Sequence, residues 1–130
     1  MSAKPLRWLA GQITVPPLSQ EAALAVAALL EVVALGGMPT MPHSRPLPSV
    51  GLRCHELRVK NGNRTWRIVY HIAVDAIVVL DFFCKKTQET PKLVIDRCKK
   101  RLRRYEQEHY DGQTVAEAGR TERLRRLASG

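Results

Sequence analysis

Arg58, Arg67, Lys85 and Lys86 are the residues of this 130-residue chain whose types and spacing best suit chemistry. Strand alternation over Arg64–Ile72 puts Arg67, Val69 and His71 on one face and Trp66, Ile68 and Tyr70 on the other. In the preceding strand, Leu57 and Val59 share one face, while Glu56, Arg58 and Lys60 share the opposite one. An open sheet carrying Arg58 and Arg67, with the Lys85–Lys86 pair near its end, would present several cations to a single phosphate. The same pattern also describes an ordinary solvated strand face, and from alternation alone both readings stand.

The distribution of charge points the same way. From Arg53 to Arg104 there are fourteen Lys and Arg against five Asp and Glu, a surplus of +9, while the segments before and after contribute +1 and −1. Positive charge held in one stretch is expected to meet a polyanion. With a pI near 10.0, nucleic acid is the leading partner, ahead of an anionic membrane surface or an acidic protein. The four histidines, His43, His55, His71 and His109, are widely spaced and keep no recognised ligand interval with Cys or a carboxylate. No glycine-rich phosphate loop, GxSxG elbow or HExxH is present. Metal-free, cofactor-free electrostatic catalysis or simple binding remain.

The elements that must position these cations can be read from punctuation and periodicity. Leu6–Val15 is expected to form a first strand, stopped by Pro16–Pro17. Ser19 is placed to cap a helix that runs to Leu35 and ends at Gly36–Gly37. That helix is apolar almost all round, so it should be buried on more than one side, by its own sheet or by a second protein. Met38–Val50, with four prolines, reads as an extended loop without regular structure. Arg53–Lys60 and Arg64–Ile72 flank Asn61-Gly62-Asn63 as a hairpin, and Ala76–Cys84 adds a third strand after a tight connection, giving an antiparallel meander. Thr90–Pro91 opens a helix, with Thr90 as N-cap. Ile95, Cys98, Leu102 and Tyr105 recur at helical spacing and should face the sheet. A further short helix is expected from Val115 to Leu127.

One domain over residues 1–110, followed by an extension over 111–130, accounts for the length. The odd cysteine count, Cys54, Cys84 and Cys98 without CxxC spacing, suggests buried reduced thiols. The N-terminus has no secretory pattern. The apolar run Ala22–Leu35, broken by Glu31, is too short to span a bilayer, so a cytoplasmic location is expected with no membrane partner.

The motifs LRWL (Leu6–Leu9), LGGMP (Leu35–Pro39), CHELRV (Cys54–Val59), TWRIVY (Thr65–Tyr70), LDFFCKKTQETP (Leu80–Pro91) and IDRCKKRLRRYE (Ile95–Glu106) occur in that order. Together they resemble the phage-derived branch of the RelE/HigB toxins, within the RelE/ParE superfamily, over Pro5 to Gln107. The FxKKTxxTP element from Phe83 to Pro91 is the most specific part. The resemblance implies an α+β fold of the RelE/ParE kind, a small antiparallel sheet packed against N-terminal and C-terminal helices. It also implies the toxin of a type II toxin–antitoxin pair, a metal-independent endoribonuclease that acts on mRNA on the ribosome. In such enzymes the RNA 2′-hydroxyl attacks the adjacent phosphate, and a helix-turn-helix antitoxin silences them. That antitoxin, or a second copy of the chain, is expected to cover part of the Ser19–Leu35 helix.

By motif position, the resemblance makes Arg67 the phosphate clamp and an exposed strand-face cation. It makes Lys85 or Lys86 the group for charge stabilisation or proton transfer. Arg58, Lys60, Arg64, Lys99 and Arg103 would seat the nucleic-acid backbone. His71 is a lesser candidate for general base. Asp81 departs from the pattern, standing where many relatives carry histidine, and a carboxylate beside phosphate is repulsive unless paired. The superfamily also contains ParE-like inhibitors of DNA gyrase, so a non-catalytic inhibitor remains an alternative, as does a basic nucleic-acid-binding module. The nuclease reading requires the Arg67 guanidinium to point outward and to lie near both lysines.

Overall fold

The computed structural model describes residues 3–11, 15, 17–39, 43–85 and 90–108, with backbone only at Lys85. The expected helix Val115–Leu127, the 111–130 extension and Lys86 lie outside the described residues. The elements run β1 (Leu6–Trp8), α1 (Gln20–Ala34), β2 (Ser44–Pro46), β3 (Cys54–Asn61), β4 (Arg64–Ile72) and β5 (Ile77–Lys85). A second helix, α2, follows over residues 92–108. The five strands form one sheet in the order β1-β5-β4-β3-β2.

The meander β3-β4-β5 is as expected. Gly62 and Asn63 form a two-residue loop between the paired Asn61 and Arg64, and Gly62 has φ 65. Positive φ at the first loop position alone is the type II′ turn, whose twist matches that of the strands it joins. The sheet is wider than the meander and mixed rather than antiparallel, because β1 pairs in parallel with β5, Leu6 opposite Ile77. β1 is also shorter than the expected Leu6–Val15. It stops at Trp8, and the chain bends through Gly11 at φ 83. The proline-rich segment is not wholly irregular either, since β2 pairs antiparallel with β3, Ser44 opposite Leu57. A three-residue edge strand can end in proline because its outer side donates to no ladder.

Helix α1 begins and ends where its sequence dictates. Ser19 Oγ accepts from the Ala22 amide at 3.1 Å. At the other end, Gly36 (φ 96) donates to Val33 O and Gly37 to Val32 O, the paired bonds of a Schellman motif. The helix buries Ala22, Val26, Leu30, Val33 and Ala34 against Leu57, Val59, Trp66, Ile68, Tyr70, Ile77 and Val79. Among the described residues, its far side and its C-cap stay exposed: Leu24 is 64% exposed, Val32 45% and the cap residue Leu35 62%.

Helix α2 covers the opposite face of the sheet. Cys98 and Leu102 are buried there with Val69, Val78 and Leu80, flanked by partly buried Ile95 and Tyr105, as the spacing predicts. Val94 joins them. The first intrahelical bond runs from Ile95 N to Pro91 O, so Pro91 occupies the cap position. Thr90 is therefore not the N-cap, and its hydroxyl is used elsewhere.

A β-bulge between β4 and β5 adjusts the α2 face. Val69 pairs with Asp81 but Tyr70 pairs with Val79, so Leu80 is the extra residue. Such an insertion turns two neighbouring residues to one side. Leu80 packs into the α2 core while Asp81 bonds to side chains of α2. Among the described residues, no helix is long and apolar enough to cross a membrane.

Candidate functional site

Three arginines from three adjacent strands meet on one carboxylate. Glu56 of β3 is fully buried. Its Oε1 accepts Arg45 Nε of β2 at 3.2 Å, Arg58 Nε of β3 at 3.3 Å and Arg67 Nη1 of β4 at 3.4 Å. Its Oε2 accepts the Thr90 hydroxyl at 2.6 Å, and Arg45 Nη2 donates to Thr90 Oγ1 at 3.3 Å. The side chains of Arg45 and Arg58 remain 29% and 18% exposed, so the cluster reaches solvent through them.

Arg67 does not. Its side chain is 4% exposed, and the expected outward-pointing phosphate clamp is corrected to a buried guanidinium bonded to Glu56, so the outward placement that the nuclease reading required is not met. Alternation placed it on the right face but not at the right depth. Burial pulls the Arg67 guanidinium below its ordinary pKa, with Arg58 and Arg45 acting in the same direction and Glu56 opposing them. The ion pair with Glu56 makes that burial tolerable.

The remaining expected residues fall in three places. Arg58 belongs to the cluster and stands opposite Arg67, which in turn stands opposite Phe83. The next row comprises Lys60, Thr65 and Lys85, roughly 7 Å further along the strands. Lys60 is exposed. Lys85 is thus two register positions from the Arg58–Arg67 row, whereas Lys86 lies outside the described residues. Arg64 is exposed at the hairpin end, opposite Asn61. Lys99 and Arg103 are exposed on α2.

Asp81 is paired. Arg97 Nε bonds its Oδ2 at 2.9 Å and Arg101 Nη1 its Oδ1 at 3.3 Å, while the Phe82 amide donates to Oδ1 at 2.9 Å. Arg101 Nη1 also donates to Leu80 O at 2.7 Å. Asp81 therefore ties α2 to β5, and the repulsion its position suggested is met by two arginines. Alongside, a groove of about 620 Å³ is lined by Arg97, Lys100, Arg101, Arg103 and Arg104, with Asp96 as an acidic neighbour.

His71 is a poor general base here. Its Nδ1–H donates to Leu52 O at 3.0 Å, and burial lowers its pKa below the ordinary value. It stands four residues from Arg67 on the same strand, roughly 13 Å away. The Cys54 thiol is pushed up to about 12 by burial and then by Glu106, and the Cys98 thiol to about 12 by burial and then by Asp81. Both are inert protonated thiols. Cys84 is only partly buried, not fully as expected. Among the described residues, no group of three His, Cys, Asp or Glu is placed to hold a metal ion.

Sequence reasoning missed Arg45, Glu56 and Thr90. Arg45 sits in a segment that reads as loop, and the TP pair reads as a cap. The available signal was Glu56 two residues before Arg58 on one strand face, since a carboxylate among arginines implies an ion network rather than a solvated surface.

A mixed sheet covered by a helix on each face, with arginines gathered around Glu56 on one of those faces, defines a small α+β protein. Residues 16–103 match the phage-derived Gp49-like proteins, and the chain belongs to that family. The family is of the RelE/ParE-like toxin type, and the motif resemblance is borne out at that level. No curated protein and no solved structure matches the chain.

Proposed function

We propose that this protein is the toxin of a type II toxin–antitoxin pair, a HigB-like endoribonuclease that cuts mRNA on the ribosome in the cytoplasm. The observation that carries this reading is the convergence of Arg45, Arg58 and Arg67 on Glu56, with Arg45 and Arg58 reaching solvent. The 2′-hydroxyl of one nucleotide attacks the adjacent phosphorus, its proton is removed, and the 5′-oxygen leaves with a proton, giving a 2′,3′-cyclic phosphate. Negative charge builds on the non-bridging oxygens of the phosphorane, and preorganised cations stabilise it. With Arg67 buried, the reading can no longer rest on an outward Arg67: Arg58 and Arg45 meet the phosphate, Arg67 shares their Glu56 acceptor, and Lys85 and Lys86 stabilise charge or move a proton. Lys60, Arg64, Lys99 and Arg103 hold the flanking backbone through contacts that weaken with salt. The exposed Leu24, Val32 and Leu35 of α1 suit a helix-turn-helix antitoxin, which would cover them.

Mapping transcript ends after induction tests the reading. The natural chain should arrest growth and leave cut transcripts, and a Lys85→Ala, Lys86→Ala double variant should do neither while accumulating as folded protein. Growth arrest with DNA-damage signalling and intact transcripts would instead indicate a gyrase inhibitor.

A further inference from the structure

Arg58 and Arg67 stand directly opposite each other on neighbouring strands, and like charges so placed repel. Glu56 lies between them in function. One of its oxygens receives a donor from each of Arg45, Arg58 and Arg67, and the other receives the Thr90 hydroxyl. A guanidinium is a rigid plane with its donors in a fixed fork. Fixing one edge of that plane therefore fixes the direction of the whole group. Because three strands converge on one oxygen, the carboxylate sets the three planes relative to one another. Thr90 in turn orients the carboxylate, at a distance typical of a strong charge-assisted bond.

We propose that Glu56, held by Thr90, is the positioning residue of the phosphate site, setting the arginine array that receives one phosphodiester of single-stranded RNA. This rests on the RNA-cleaving reading above. Charge alone gives the opposite expectation. A carboxylate beside a phosphate repels it, and Glu56→Gln removes one negative charge from the cluster, so charge counting makes RNA bind more tightly. Positioning makes it bind more weakly, because the arginines lose their common acceptor.

The test uses the full chain as the natural sequence and as Glu56→Gln, Thr90→Val and Thr90→Ser, each checked for folding by thermal melting. Binding is read by fluorescence anisotropy on an RNA oligonucleotide blocked with 2′-O-methyl groups. Cleavage is read as separate kcat and KM values on programmed ribosomes. Glu56→Gln should bind about tenfold more weakly and lose about 10²-fold in kcat, as small displacements of positioned groups do. Thr90→Val, which leaves every charge in place, should move both quantities the same way, and Thr90→Ser should recover most of the loss. A folded Glu56→Gln protein that binds as tightly as the natural chain or more so would overturn the proposal. So would a Thr90→Val protein with natural binding and kcat, and that pair decides the matter alone if Glu56→Gln does not fold. A natural chain that fails to bind the blocked oligonucleotide also overturns it. A natural chain that binds but cleaves nothing defeats the nuclease reading, while the binding arm still decides the role of Glu56.

Discussion

Arg67→Ala is expected to lower the unfolding free energy by about 2–5 kcal/mol, in the range of large-to-small truncation at buried sites. The side chain is 4% exposed and bonds Glu56. Truncation thus leaves a void and removes one of the partners of a buried carboxylate, and breaking a buried ion pair carries a penalty of its own. Part of the loss is packing, since arginine's aliphatic stem fills space as a hydrophobic residue does. Arg67→Met, which keeps the length of the stem, should recover the packing share but not the ion pair. Urea unfolding followed by tryptophan fluorescence measures both, with Trp66 adjacent in sequence. A change within about 0.5 kcal/mol, the range of a surface substitution, would mean that the guanidinium is in solvent after all. An exposed Arg67 implies that smaller value, so the experiment separates the two placements.

Arg58→Ala is expected to act on rate instead. Its side chain is 18% exposed at the open side of the cluster, where a phosphate would arrive. Losing one preorganised donor to a developing oxyanion costs about 10²–10³ in kcat. Arg58→Lys keeps the charge but not the planar fork, so it should restore RNA affinity more than kcat. Kinetics on ribosomes programmed with a defined mRNA, with melting as the control for folding, give the comparison. Natural kcat in a folded Arg58→Ala protein would remove this residue from the site.

The parts of the fold legible in the sequence are those with periodicity and punctuation. Alternation marked β3 and β4, Gly62 marked their turn, Ser19 and Gly36–Gly37 bounded α1, and the 95/98/102/105 spacing found the buried row of α2. β2 was not legible, because a three-residue edge strand among prolines is too short to show a period. β1 was misjudged in length because its pairing with β5 is parallel and long-range, which leaves no local turn signal. The bulge at Leu80 is a single inserted residue, and nothing in the alternation of β5 betrays it. For the site, alternation put Glu56, Arg58 and Arg67 on a shared face, which the structure bears out. Whether that face is open depends on what packs over it, and that is a property of the whole chain. Hence Arg58 was placed well, Arg67 was placed on the correct face at the wrong depth, and the Glu56 hub was missed.

The most direct test is chemical. The purified protein is added to ribosomes programmed with an mRNA carrying either ribose throughout or a single 2′-deoxyribose on the 5′ side of the cut. Cleavage of the all-ribose message to a 2′,3′-cyclic phosphate end, with the deoxy-substituted message left intact at that position, is the result predicted here. Cutting at the deoxy position, or an intact all-ribose message under a preparation that still arrests growth, would contradict it.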